Sequence, residues 1–312
     1  MKDDFEEIVD IDLNKHQSVR EIIDAMGKGG GFAGRYLSDA LQILREMLRE
    51  ENCLRYLSFP ASLVATGLRG ILSSLLDMKL FDVVITTCGT LDHDLARAWA
   101  KYYKGDFNMD DAELDTNGYH RLGSILIPKV SYGELIESRI QPLLEQLYNS
   151  GNRKISPSEL AFLLGNLIDD QNSILKSASK NSIPVIIPGI TDGAVGSQLW
   201  LFSEKYRDFS IDVLEDERVL SKIAFDSKNK KSGALILGGG ISKHHTLWWN
   251  QFRGGLDYAV YVTTASEFDG SLSGARTREA ISWGKIAPTA KQVTLYGDVT
   301  LILPFLISGL EI

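Results

Sequence analysis

Cysteine is nearly absent, with Cys53 and Cys88 the only two in 312 residues. Two thiols outside a C-x-x-C pair build no disulfide framework, and they are too few for a four-cysteine structural zinc. No apolar run reaches membrane-spanning length. Basic charge is in deficit: 33 Lys plus Arg against 41 Asp plus Glu leave a formal net charge of −8. Displacing counterions from a nucleic acid needs the opposite balance. Proline is sparse and scattered, so there is no Pro-rich linker, and neither an internal repeat nor a low-complexity tract is visible. The opening Met1-Lys2-Asp3-Asp4-Phe5-Glu6-Glu7 is acidic where a secretory signal would be basic and then apolar. Hydrophobic residues at 44% and charged residues at 24% exclude a disordered class. The expectation is a cytoplasmic globular protein with no metal and with neither a nucleic-acid nor a membrane partner.

What is present is alternation. Short Val-, Ile- and Leu-rich runs at Cys53 to Phe59, Val83 to Thr87, Ile183 to Ile187, Gly233 to Leu237, Tyr258 to Thr263 and Gln292 to Tyr296 read as strands buried on both faces. Helical periods separate them. Between Tyr36 and Arg49, Leu37, Leu41, Leu44 and Leu48 share one face, and Ser156-Pro157-Ser158-Glu159 carries the cap, first-turn proline and N3 acid of a helix start. The βαβα order predicts an α/β fold, doubly wound, with a mostly parallel sheet. Tyr103 to Leu122 is polar and weakly periodic, a surface excursion or an insertion. Residues 1–31, ending in Gly29-Gly30-Gly31, are expected as an N-terminal helical arm, and 32–312 as the main domain.

Ligands of open α/β sheets lie beyond the carboxyl ends of the strands. Five such ends carry small or acidic residues: Thr86-Thr87-Cys88-Gly89, Thr191-Asp192-Gly193, Gly238-Gly239-Gly240, Thr263-Thr264-Ala265 with Asp269-Gly270-Ser271, and Gly297-Asp298. Each alone is an ordinary tight exit from a strand; together they suit a nucleotide-sized ligand. His244 and His245 are neighbours and cannot share a metal on one helix face. One could move protons at a cleft while the other packs. Lys285, two residues after Trp283 at the end of a helix beginning near Arg276, reads either as a solvated C-terminal cation or as an amine nucleophile in apolar surroundings. Trp248 and Trp249 could stack on a ligand; core is the default. The acidic pair Asp110-Asp111 reads as a solvated face.

The segment from Gly238 to Leu306 resembles deoxyhypusine synthase. Leu237-Gly238-Gly239-Gly240 with Lys243-His244-His245, Asp257-Tyr258-Ala259-Val260-Tyr261, Glu267-Phe268-Asp269-Gly270-Ser271, Ser273-Gly274-Ala275-Arg276 and Ser282-Trp283-Gly284-Lys285 match the family pattern in order. Weaker agreement runs upstream through Thr191-Asp192-Gly193 to Thr86-Thr87. The resemblance implies a Rossmann-like NAD-binding fold and a homotetramer with active sites shared across a dimer interface. It also implies transfer of the aminobutyl group of spermidine, through an enzyme lysine imine, to a lysine of the translation initiation factor 5A precursor. Under that match Lys285 is the covalent lysine and His244 the proton-moving group, with Trp283 and Glu279 lining the amine pocket. Thr87, Gly89, Asp192, Gly238, Gly240, Thr264, Ala265, Asp269, Ser273 and Asp298 are the implied NAD contacts.

Departures fall in the amine pocket and near the cofactor. Ser197 and Leu272 stand where the eukaryotic pattern has Asp, and Trp248 where it has Asn. Ser62, Ala65 and His93 replace the Asn, Ser and Glu expected near NAD. Loss of two carboxylates weakens the attraction for a polycation. Two alternatives therefore stand beside the main reading. One is a homospermidine synthase-like transfer to a free amine, or use of another amine donor; the other is a silent NAD-binding regulatory subunit.

Overall fold

The computed structural model describes residues 5–15 and 18–311. The chain forms two compact units, one from the residues up to Tyr56 together with those from Asp226 onward, the other from Leu57–Phe225.

In the first unit, strands Ile286–Tyr296, Leu256–Thr263, Lys231–Leu237 and Cys53–Ser58 lie side by side in that order, the last running on into the second unit. Leu256–Thr263 pairs in parallel with both neighbours, Val260 facing Leu235 on one side and Val293 on the other. The two central strands, Leu256–Thr263 and Lys231–Leu237, are apolar over most of their length because both faces are covered. Helix Phe32–Arg49 covers one face with Ala40, Leu41, Ile43, Leu44 and Met47. Its buried stripe is thus centred on Leu41 and Leu44, with Leu37 and Leu48 at the margins. A Cβ on Gly233 would stand 2.4 Å from the Met47 sulfur, so glycine there allows the close approach of helix and strand. Helix Val19–Lys28 begins with a capping box on Ser18 and Glu21. It lies within the arm expected at 1–31, and its Ile23 is buried.

The edge strand starts at Ile286, six residues before the expected Gln292. Ile286 pairs with Leu256, the ladder then skips to Lys291 opposite Tyr258, and Ala287 to Ala290 bulge out. The other five expected strands are present with no end shifted by more than two residues.

In the second unit, Val83–Ile85 and Val185–Ile186 pair in parallel. The polar stretch from Tyr103 folds into a three-stranded antiparallel sheet, Tyr103–Lys104, Ile125–Pro128 and Tyr119–Leu122, with helix Asp111–Thr116 alongside. Helix Pro157–Leu167 starts as its sequence demands: Ser156 Oγ accepts from the Glu159 amide and Pro157 occupies the first turn. In the first unit Leu256–Thr263 pairs in parallel with both neighbours, the second unit combines two parallel pairs with the antiparallel sheet, and helices intervene between the strands, which is the expected α/β class. Among the described residues no helix is long and apolar enough to cross a membrane.

Helix Cys88–Trp99 of this unit carries a buried polar row. Asp92 accepts from the amides of Ala194 and Val195, both at 2.8 Å, and from the Tyr132 hydroxyl at 2.8 Å. The next residue, His93, lies 3.0 Å through Nδ1 from the Tyr102 hydroxyl. Burial, followed by the charge of Arg97, lowers its pKa from 6.5 to about 4. Between those values the unfolded chain binds a proton that the folded chain refuses. The stabilisation from a neutral His93 is therefore complete above pH 6.5 and is lost as pH falls toward 4, up to about 3 kcal/mol. Urea unfolding at pH 7 and pH 4.5 should show this acid loss shrinking by about that amount in His93→Gln.

Candidate active site

Gly238, Gly239 and Gly240 end strand Lys231–Leu237 and begin helix Ile241–Asn250. Gly238 and Gly240 have φ of 73° and 75°, the left-handed region that glycine adopts without strain. The turn aims His244 and, one helical turn later, Trp248 from the same face; their rings lie 5.7 Å apart. Beyond strand Leu256–Thr263 the chain loops back through Ser271 to Thr277 into the single turn Glu279–Ser282. This begins later than the helix expected from Arg276 and stops before Lys285, where Gly284 at φ 65° reverses the chain and donates to the Ile281 carbonyl. Lys285 is then pinned on both sides: its amide donates to Ala280 O and its carbonyl accepts from Leu256 N, each at 3.0 Å.

These elements enclose a cleft of about 250 Å³ within the first unit, and Lys285, His244, Trp283 and Glu279 all line it. Leu247, Leu272, Ala275 and Ala280 give it an apolar wall, and Tyr261, from the buried strand, adds a ring. Lys285 is only 8% exposed. Its Nζ lies 5.3 Å from the Trp283 ring and 5.6 Å from the Trp248 ring, both within cation–π range. Trp248 thus departs from the core placement taken as default. It is 43% exposed and faces the cleft, whereas Trp249 is buried as expected.

Burial first, and then the charge of Lys285, lowers the pKa of His244, so its imidazole is neutral and able to accept a proton at neutral pH. Lys243, unremarked in the sequence except as part of a motif, is 1% exposed. Its Nζ donates to Ala275 O at 2.7 Å and lies 4.4 Å from the Tyr261 ring. Desolvation lowers its pKa to about 8 against the opposing influence of Glu279. Arg276 also lines the cleft, and its guanidinium is held by other partners, donating to the Tyr296 hydroxyl and pairing with Glu267. Among the residues lining the cleft, Glu279 is the one carboxylate.

The residues expected at a dinucleotide fall into two sets. In the first unit Gly238, Gly240, Thr264, Ala265, Asp269, Ser273 and Asp298 follow the carboxyl ends of three adjacent parallel strands. The glycine turn touches the loop that bears Ser273, since a Cβ on Gly239 would meet Ser273 Oγ at 2.2 Å. Gly240 opens a ten-residue helix with no side-chain cap, and a Cβ there would meet nothing. Uncapped amides beside open space suit a phosphate. Asp298 is already a helix cap, accepting from Thr300 N and Leu301 N, and Asp269 accepts from Ser271 N. In the second unit Thr87 and Gly89 open helix Cys88–Trp99, and Asp192 precedes Gly193 at the start of helix Ala194–Lys205. These two starts meet, because a Cβ on Gly193 would lie 2.8 Å from the Cys88 sulfur. The Ala194 end is satisfied by Asp92, which leaves the Cys88 end, uncapped by Thr87, as the freer terminus. Among the described residues no cluster of three His, Cys, Asp or Glu could hold a metal ion.

A family model described as deoxyhypusine synthase matches residues 21–310. A Picrophilus torridus protein named "Probable deoxyhypusine synthase" is 50% identical over 303 residues, covering 97% of this chain and 96% of its own. An Ignicoccus hospitalis protein of the same name is 49% identical over 315 residues, covering 99% and 97%. Among solved structures, an Entamoeba histolytica chain assigned as a deoxyhypusine synthase superposes with a TM-score of 0.67 at 21% identity, over 97% of this chain and 96% of that one. AgrE, solved in a ternary complex with ornithine and NAD+, gives a TM-score of 0.52 at 14% identity over 90% of this chain and 34% of its own. The two structural likenesses speak for the fold alone. With the family model spanning all but the chain's ends and relatives at half identity along nearly its full length, the chain belongs to the deoxyhypusine synthase family and is an aminobutyl transferase of hypusine biosynthesis.

Proposed function

We propose that the chain, as a homotetramer, moves the 4-aminobutyl group of spermidine through an imine on Lys285 to one lysine of the translation initiation factor 5A precursor. The observation that carries this reading is the Lys285 amine, buried between two indoles in a cleft that also holds His244 and a single carboxylate. The cofactor we propose is NAD. Gly238 and Gly240 would hold its phosphates, with Thr264, Ala265, Asp269, Ser273 and Asp298 around them and Thr87, Gly89 and Asp192 as further contacts from the family resemblance. When bound it would supply the hydride acceptor for amine oxidation and return the hydride to the final imine. At the level of the fold, AgrE carries NAD+.

The chain's own residues have separate tasks. Glu279, the one carboxylate lining the cleft, draws the donor ammonium in. Neutral His244 takes the proton released as the donor amine is oxidised. Lys285 Nζ then adds to the oxidised carbon; a new C=N bond forms to Nζ, the old C–N bond breaks, and 1,3-diaminopropane leaves. The acceptor lysine repeats the exchange and frees Lys285.

Leu272 in the cleft wall favours a second reading. With Glu279 as the one lining carboxylate, a smaller donor or a free-amine acceptor also fits. The test is incubation with NAD and labelled spermidine followed by borohydride. An aminobutyl mass on Lys285 is expected, and its absence would favour a silent regulatory subunit. Supplying either the precursor protein or putrescine then separates the acceptors: label on protein supports the main reading, homospermidine the second.

A further inference from the structure

His244, Trp248 and Phe252 recur at intervals of four, which places them on one face of the helix and its continuation. Their rings form a row: His244 to Trp248 at 5.7 Å with a 32° tilt, and Trp248 to Phe252 at 6.2 Å and nearly perpendicular. The reaction outlined above gives Trp248 no task. Yet Lys285 is 8% exposed while the indoles beside it, Trp248 and Trp283, are 43% and 66% exposed. The rings take the solvent contact that the amine would otherwise have. Behind them Leu247, Leu272, Ala275 and Ala280 offer water no side-chain partner.

We infer that Trp248 is a positioning residue that screens the Lys285 amine, and any imine formed on it, from water while bracing the His244 ring. The part concerning the imine rests on the proposed function; the screening of the amine does not. Unscreened, an imine hydrolyses: water adds to the C=N carbon, the bond to Nζ breaks, Lys285 returns as an amine and a free amino-aldehyde departs. The hydride stays on the reduced nicotinamide dinucleotide, so aldehyde and reduced cofactor accumulate one for one. Keeping water from reactive intermediates is one physical use of a closed site.

The first measurement needs neither substrate nor cofactor. The full chain, Trp248→Ala and Trp248→Leu are treated with trinitrobenzenesulfonate, and labelling is read by peptide mass spectrometry. Labelling of Lys285 is expected to rise about tenfold in both variants, the size of one lost ring contact. Lys243, buried behind its bond to Ala275, serves as the internal control and stays slow in any folded variant. If the alanine variant also labels Lys243, the leucine variant, which keeps apolar packing, decides. Labelling of Lys285 at the wild-type rate overturns the inference.

The second measurement adds NAD and spermidine and compares free amino-aldehyde with aminobutyl-Lys285 trapped by borohydride. That ratio should also rise about tenfold in the variants. An unchanged ratio in a chain that does trap the adduct overturns the inference. A wild type that traps no adduct sinks the proposed function instead, and the labelling result then decides the screening alone.

Discussion

Lys285→Arg should lose transfer by about a thousandfold or more, as expected when a covalent nucleophile is removed, while keeping its fold and its affinity for NAD. The backbone of residue 285 is held by Ala280 and Leu256, and neither bond depends on the side chain. A guanidinium would still sit against Trp283 and Trp248, since arginine stacks on aromatic faces as well as lysine does. What it cannot do is lose its proton and present a neutral nitrogen lone pair to an imine carbon. Transfer of labelled aminobutyl reads the chemistry, and quenching of tryptophan fluorescence by NAD reads the binding. A variant that transfers at more than a few per cent of the wild-type rate would remove the covalent route. One that loses NAD binding as well would show that the substitution had disturbed more than the amine.

The fold was legible where burial is two-sided. Leu235 to Leu237 and Val260 to Val262 are continuous apolar runs because helices cover both sheet faces, and no other reading suits so short a run. It was less legible at the sheet edge, where Ala287 to Ala290 carry no strand pattern and Ile286 is tied in only through Leu256. In the site, the glycine turn, the histidine pair and Trp283-Gly284-Lys285 stand out by residue type, but only the family resemblance gave Lys285 a role beyond that of a solvated cation. Trp248 did not stand out, since half-exposed tryptophans and core tryptophans look alike in sequence; the spacing of four from His244 was the signal that could have placed it. Lys243 was hidden for a different reason. A charged residue beside a functional histidine reads as solvated, and only the strand carrying Tyr261 and the loop carrying Ala275 make it buried. The overall charge of −8 says little about the cleft, where Lys243, Arg276 and Lys285 outnumber Glu279.

Least legible of all was the ion network of the second unit, whose members lie far apart in the chain. Asp94 is fully buried and accepts from Arg69 Nε at 2.5 Å, Ser173 Oγ at 2.7 Å, Leu175 N at 2.9 Å and Ile174 N at 3.2 Å. It thereby caps helix Ile174–Lys180 and neutralises a guanidinium whose second partner is Asp170, at 2.6 Å. Asp94→Ala strips the helix start of its acceptor and leaves Arg69 buried against a carboxylate that is itself partly solvated. Breaking one side of a buried pair costs about 3–5 kcal/mol, far more than the pair contributes over apolar groups of the same shape. Urea unfolding should show that loss, and the amides of Ile174–Lys180 should lose protection from hydrogen exchange first. Asp94→Leu combined with Arg69→Met separates the charge from the cap. Removing both charges leaves no buried ion unpaired, so about half of the loss should return. The remainder stays with Ser173 and the two amides, which still lack an acceptor, while Asp170 turns to water. A double variant as unstable as Asp94→Ala would assign the whole effect to the cap.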